Sequence, residues 1–263
     1  MNPVILFRHD YYTEEEMVIC QSHIETVSLR AEIPKNSLVI PRYSALPYYN
    51  ELEKDVSLLG SKLINSYEQF NYIANFDYYE DIKHLTFKSY FHLNELPEGK
   101  SFVVKGKTNS RKHEWDSMMF AKDKATAWEI GFKLQNDGLI GRQEIIYREY
   151  EPLVTYEILL NGLPATNEFR FFFVYDTLLS YGYYWSNAKD INKTPTNKAF
   201  WIVREAANII SKHNNFFTID VAQKVNGDWV IVEVNSGEMS GLSLINPVQL
   251  YENLKLVLNE HSR

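Results

Sequence analysis

The sequence predicts a mixed fold: a small parallel α/β unit at the N-terminal end, then a larger α+β unit of antiparallel strands with two helices. Three observations lead there. Apolar strand-like runs alternate with amphipathic helical stretches as far as residue 80. After Leu85 the texture changes, and strand-like runs joined by turn residues take over. The chain has 263 residues, 45% of them hydrophobic, enough for one or two cores. The expected division is 1–85 and 86–263, the latter made of 86–150 and 151–263.

The elements follow in order. "PVILF" (3–7) reads as a short apolar strand. "TEEEMVICQSHI" (13–24) reads as an amphipathic helix capped by Thr13, with acids in the first turn where they complement the helix dipole. "SLVIPRYSALP" (37–47) is a strand running into a loop, and "YYNELEKDVSLLGSKLINS" (48–66) gives a helix, a stop at Gly60 and another strand. Residues 67–80 are helical. "SFVVKGK" (101–107) is a strand, "TNSRKHEW" (108–115) a polar loop and "KDKATAWEIGFKLQ" (122–135) a helix. "QEIIYREYEPL" (143–153) is strand-like, and "EFRFFFVYDTLLSYGYYW" (168–185) reads as a hairpin about Asp176-Thr177. A helix over 197–213 precedes the last hairpin, "FFTIDVAQKVNGDWVIVEVN" (216–235).

Composition removes several function classes. A formal net charge of −7 argues against attraction of nucleic acid by global charge, leaving only a local basic groove such as Lys105, Lys107, Arg111 and Lys112 with Trp115 nearby. A nucleic-acid acceptor is therefore the weaker expectation. Cys20 is the single cysteine, so neither an intramolecular disulfide nor a cysteine-built zinc site is available; it reads as a buried thiol. No apolar run approaches the ~20 residues of a membrane helix, and "MNPVILFRHD" passes straight into charges, unlike a signal peptide. A soluble, cytoplasmic protein is expected. GxSxG, HExxH, GxGxxG and GxxxxGK[ST] motifs are missing, and His84, His92 and His113 are expected at the surface.

The last hairpin carries the chemistry. With Asn226-Gly227 as a two-residue turn, Val225 pairs with Asp228 and Asp220 falls opposite Glu233. Phe217, Ile219 and Val221 with Val230, Val232 and Val234 then form an apolar face, and Asp220, Glu233 and Asn235 form the other. Opposed like charges destabilise a strand pair. A divalent cation resolves the conflict, and Mg²⁺ takes one or two carboxylates plus phosphate oxygens. A solvated outer face is the alternative. Removing one of the opposed charges is expected to leave the fold intact. Lys105, inside an apolar strand, is placed to hold a phosphate or to snorkel from an edge strand. Arg170, followed by three Phe, needs Glu168 or an external anion as partner. Tyr183, Tyr184 and Trp185 could alternatively form a partner-binding surface.

The order of these features resembles the ATP-grasp superfamily, over roughly residues 37–246. The residues that carry it are the strand lysine, "REYEP", "EFRFF" and "DVA…NGDWVIVEVN", with "VIPRYSALP" and the Asn65-Ser66 pair similar to the pre-ATP-grasp segment. The segment from "DYYEDIKHLTFKSYF" into "FVVKGK" looks most like the smaller, compact clades. The resemblance implies a pre-ATP-grasp α/β domain followed by antiparallel sheets gripping ATP. It implies that Lys105 meets the α-phosphate and purine, and that Lys107 and Arg111 lie over the phosphates. Glu149 and Tyr150 meet adenine, Glu151 meets the ribose, and Arg170 stabilises charge during phosphoryl transfer. Asp220, Glu233 and Asn235 hold Mg²⁺, or Mn²⁺ in its place. The family's earlier lysine has no clear equivalent beyond Lys83 or Lys88. The implied activity is ligation of a carboxylate, activated as an acyl phosphate, to an amine such as an amino acid or peptide end. "NSGEMSGLS" (235–243) shapes the acceptor pocket, with the Ser240 hydroxyl in it. A phosphotransferase on the same scaffold and a non-catalytic binding module are the alternatives.

Overall fold

In the computed structural model, the first strand, β1 (Asn2–Phe7), sits in the middle of a parallel sheet. It is flanked by β2 (Glu25–Val27) and β3 (Ser37–Arg42), with β4 (Lys62–Leu63) at the far edge. Helices α1 (Glu14–Gln21), α2 (Tyr49–Leu58) and α3 (Tyr67–Ala74) connect and cover these strands. Val4, Leu6 and Val39 face Tyr49, Leu52, Val56 and Phe70 in one core, while Ile5, Phe7 and Ile40 enter another. This alternation is what a parallel strand covered on both faces requires. Helix α3 starts where the sequence places its cap: the Gln69 amide donates to Ser66 Oγ (3.2 Å), and Gln69 Oε1 accepts from the Ser66 amide (2.9 Å). The structure describes residues 1–8, 14–188 and 193–261, so Thr13, the expected cap of α1, lies outside the described residues.

A short helix α4 (Tyr78–Ile82) leads into the second sheet, which is antiparallel. Its strands are β5 (Ser89–Tyr90), β6 (Phe102–Gly106), β7 (Phe120–Ala121) and β8 (Ile145–Glu149), in the order β5-β8-β6-β7. Helices α5 (Trp115–Met118) and α6 (Lys124–Gln135) lie between β6 and β8 in sequence. Asp123 caps α6 through Thr126 (2.8 Å), and Ala127, Ile130 and Leu134 seal the sheet's outer face. A two-stranded hairpin follows, β9 (Thr155–Ile158) with β10 (Pro164–Thr166).

The third large sheet holds β11 (Glu168–Val174), β12 (Thr177–Tyr183), β13 (Phe216–Gln223) and β14 (Trp229–Ser236) in the order β12-β11-β13-β14. Its hairpin turn is Tyr175-Asp176, one residue earlier than the sequence suggests, because Val174 pairs with Thr177 and Tyr175 takes φ +53°. Phe169, Phe171 and Phe173 pack against Val203, Ala206 and Ile210 of α7 (Asn197–Ile210). The alternate residues of the same strand divide in kind: Phe172 and Val174 meet α8 (Pro247–His261) in the core shared with β1, while Glu168 and Arg170 face the cleft between the antiparallel sheets. Strand periodicity thus sends the charges of "EFRFFFV" to one end of one face. Among the described residues no helix is long and apolar enough to cross a membrane.

Candidate active site

The Asp220–Glu233 pairing is present, reached by two offsets that cancel. The turn holds three residues, not two: the Lys224 amide donates to the Asp228 carbonyl (2.8 Å), and Gly227 takes φ +88°. Gln223 accordingly pairs with Trp229 and Val221 with Ile231; a bulge at Val232 then restores Asp220 opposite Glu233. The apolar face therefore carries Trp229 and Ile231 beside Val234, where the sequence expectation had Val230 and Val232. Val232 instead lines the cleft.

Neither carboxylate relies on an ion to tolerate the other, because each has its own buried cation. Arg170 lies directly across from Asp220 on the neighbouring strand and grips it through Nε and Nη2, both at 2.8 Å. Both side chains are at least nine-tenths buried. Glu168, the alternative partner, accepts from Thr166 Oγ1 instead (2.9 Å). Lys105 reaches across from β6 to touch Glu233 Oε1, so the snorkelling alternative does not hold. Burial raises the Glu233 carboxyl, but the Lys105 and Lys112 ammoniums with the Asn235 amide outweigh it and hold the group at about 2. Burial pulls Lys105 below the usual lysine range, with Glu233 opposing. Burial and the Asp220 charge push Glu168 up to about 7.

Two further cations of the cleft were not among the expected nucleotide contacts. Lys112 turns inward from the loop after β6, touches the Tyr184 hydroxyl and lies 4.6 Å from that ring's centroid. Arg170 lies over the same ring at 4.8 Å. Burial works against the Lys112 ammonium, but Tyr184, Glu233 and Glu168 hold its pKa above the usual lysine range. Arg148, on β8, is buried, donates to the Val232 carbonyl and Thr86 Oγ1, and lies over the rings of Phe76 and Phe87. Among the described residues it has no carboxylate in ion-pair contact, and burial lowers its pKa. An arginine within an apolar strand was the signal; "IIYREY" shows one as plainly as "EFRFF" does.

Other expected residues lie apart from the cleft. Lys107 pairs with Glu144 (2.5 Å) and Arg111 with Asp137 (2.6 Å), so neither lines it. Side-chain direction in a loop follows no period, which is why three neighbouring basic positions could not be told apart. Lys83 and Lys88 are exposed. Glu149, Tyr150 and Glu151 line the cleft as expected, with Glu149 accepting from the Tyr90 hydroxyl and Glu151 paired with Lys224 (3.1 Å). The backbone amides of Glu149 and Tyr150 already donate to Lys88 and Ser101 carbonyls, each at 2.8 Å. Tyr183 is in the core, while Tyr184 and Trp185 line the cleft; they do not form an outer surface.

A second cavity opens beyond Lys112 and Glu233, lined by Ser44, Leu46, Thr108, Asn235, Met239 and Ser240. Its floor, the segment after β14, is fixed from afar. Arg42 at the end of β3 donates to the carbonyls of Gly237 and Ser240, is itself held by Glu16 (2.8 Å), and Arg170 donates to the Gly241 carbonyl (2.9 Å). Glu238 is buried, accepts from Tyr49 and Ser236 hydroxyls at 2.7 Å each, and is pushed up to about 7 by burial. Asn65 accepts from the Asn215 (2.7 Å) and Phe216 amides, tying the parallel sheet to β13.

Residues 95–254, more than half of the chain, match the model of an ATP-grasp domain family, the third of its clade. The chain is an ATP-grasp protein. Its fold agrees with that of D-cycloserine synthetase DcsG at a TM-score of 0.65, 12% identity and coverage of 98% of this chain and 99% of that one. A RimK-domain ATP-grasp protein from Sphaerobacter thermophilus gives 0.62 at 12% identity, covering 97% and 98%. The D-alanine–D-alanine ligase from Bacillus anthracis, solved with ATP, gives 0.58 at 12% identity, covering 99% of each chain. No curated protein matches the sequence. In ATP-grasp terms the cleft between the two antiparallel sheets is where the fold holds its nucleotide. Its acidic face offers carboxylate and amide oxygens only, the donor set of a hard divalent cation such as Mg²⁺. Asn235 fits that set: its Nδ2 donates to Glu233 Oε2 (3.1 Å), which leaves Oδ1 for an ion. Among the described residues no three His, Cys, Asp or Glu side chains cluster as a metal site without it.

Proposed function

We propose that this ATP-grasp protein is an ATP- and Mg²⁺-dependent ligase that activates a carboxylate as an acyl phosphate and joins it to an amine. The observation that carries the reading is the buried row Arg170, Asp220, Glu233 and Lys105, drawn from three strands of one sheet and one of the other, at the junction of two cavities. The apolar cavity takes the nucleoside. Glu149, Tyr150 and Glu151 meet the base and ribose; the Glu151 amide, without an intramolecular partner among the described residues, is the backbone donor left for the base.

Asp220, Glu233 and Asn235 would hold Mg²⁺, which supplies charge neutralisation for the phosphates when bound. Lys105, Lys112, Arg148 and Arg170 meet the phosphate charge, and their burial strengthens that interaction. A substrate carboxylate oxygen forms a bond to the γ-phosphorus as the bond to the bridging oxygen of ADP breaks. The amine then bonds to the acyl carbon, phosphate leaves and the amine gives up a proton. The second cavity, beside the row, receives these substrates; amino acids or peptide ends are the class we favour. Residues 1–85 serve as the pre-ATP-grasp domain, 86–150 as the lysine-strand part and 151–263 as the metal-binding part of the ATP-grasp domain. A nucleic-acid acceptor is disfavoured, since Lys105 and Lys112 point inward and Arg111 is paired.

The test is phosphate release with ATP and Mg²⁺ over a panel of paired carboxylates and amines. Release that requires both partners supports the ligase. Phosphate retained on a single acceptor makes the protein a phosphotransferase, and the absence of nucleotide binding overturns both.

A further inference from the structure

The charges in the cleft are unequal. Arg170 is closed on Asp220 and Lys105 on Glu233. Glu168, near 7, adds little negative charge at neutral pH. Lys112 rests on the Tyr184 phenol and Arg148 on carbonyl and hydroxyl oxygens, neither in ion-pair contact with a carboxylate among the described residues. Four cations against two ionised carboxylates leave the cleft positive by about two charges. A free divalent cation would raise that excess to about four and would have to displace Lys105 from Glu233. A nucleoside triphosphate carrying one divalent ion has a net charge of about −2, equal and opposite to the excess. Its phosphate oxygens also give the Lys105 ammonium a new partner.

We propose that Lys105 is the resident counter-ion of Glu233 and yields it only to a divalent ion that arrives with a polyphosphate. The cleft therefore takes the metal–triphosphate complex and excludes the free metal. This rests on the nucleotide reading of the cleft. Lys105 has two successive partners, the Glu233 carboxylate and then phosphate, and its burial makes an unpartnered intermediate state costly.

Mn²⁺ serves as the probe, with uptake followed by loss of the free aquo-ion signal in electron paramagnetic resonance. Wild-type protein without nucleotide takes up no Mn²⁺ below roughly 1 mM, whereas in calorimetry a non-hydrolysable ATP analogue binds at least tenfold more tightly with Mn²⁺ than without. Lys105→Met takes up Mn²⁺ without nucleotide at least tenfold more tightly than wild type, and adding Glu233→Gln removes that uptake. The inference is overturned if wild type alone binds an equivalent of Mn²⁺ at micromolar concentration, or if Lys105→Met binds it no better than wild type. The wild-type arm decides alone should the variant not fold. If the analogue fails to bind with or without Mn²⁺, the nucleotide reading itself has failed and the inference falls with it.

Discussion

Asp220→Asn is expected to destabilise the protein far more than Glu233→Gln, although the two carboxylates face each other. Asp220 accepts two hydrogen bonds of 2.8 Å from Arg170, and both side chains are at least nine-tenths buried. The substitution removes the charge and one acceptor, and a guanidinium cannot shed its proton. Breaking a buried pair in this way costs about 3–5 kcal/mol. For a chain of this size each kcal/mol moves Tm by about 2–4 °C, so a fall of roughly 10 °C is expected. Glu233→Gln instead strands an ammonium whose pKa burial has already lowered, and Lys105 can become neutral. That variant should lose only about 1–2 kcal/mol. Circular-dichroism melts and urea titrations at pH 7.5 measure both. Equal losses, or an Asp220→Asn protein melting within about 2 °C of wild type, would refute the pairing logic. The sequence expectation that either change leaves the fold intact does not survive for Asp220, because the conflict there is settled by Arg170.

Glu168 and Glu238 should make the protein less stable as pH rises. Both carboxyls are raised from 4.5 to about 7, so the folded state holds protons that the unfolded state has released, and stability falls between those values. Glu168→Gln with Glu238→Gln should flatten that decline in denaturant midpoints taken from pH 5 to pH 8. Arg148→Met should weaken binding of ATP and of inorganic tripolyphosphate by about 10–100-fold while leaving adenosine unaffected; calorimetry that shows all three falling together would make Arg148 a packing residue only. Lys112→Ala should lower ATP turnover at least about 100-fold, while Arg111→Ala should leave ATP affinity within about twofold, because Asp137 holds Arg111 away from the cleft. Steady-state kinetics showing the reverse order would place the wrong base in the site.

The sequence determined what is local and periodic. Alternation fixed which residues of β13 and β11 share a face, so Asp220 and Arg170 could be assigned to a common polar surface before any contact was known. The Ser66 cap, the helix over α6 and the apolar strand around Lys105 were legible for the same reason. The Asp220–Glu233 pairing was also legible, yet by a route that hides its error: a turn one residue longer than expected is cancelled by the bulge at Val232. Neither the turn length nor the bulge has a period, so the residues between them, Trp229 to Val232, were assigned to the wrong faces.

Tertiary structure decided the partners. Lys105 and Glu233 are 128 residues apart, and Arg42 is 195 from the carbonyl of Gly237 that it holds. No spacing rule links such positions; only the packing of three sheets does. It also chose Lys112 over Lys107 and Arg111, since the fold supplies Glu144 and Asp137 to bind the other two outside the cleft. The residue types set what chemistry was available, and burial between the sheets set which charges meet, because a charge removed from water must find a partner wherever the chain brings one.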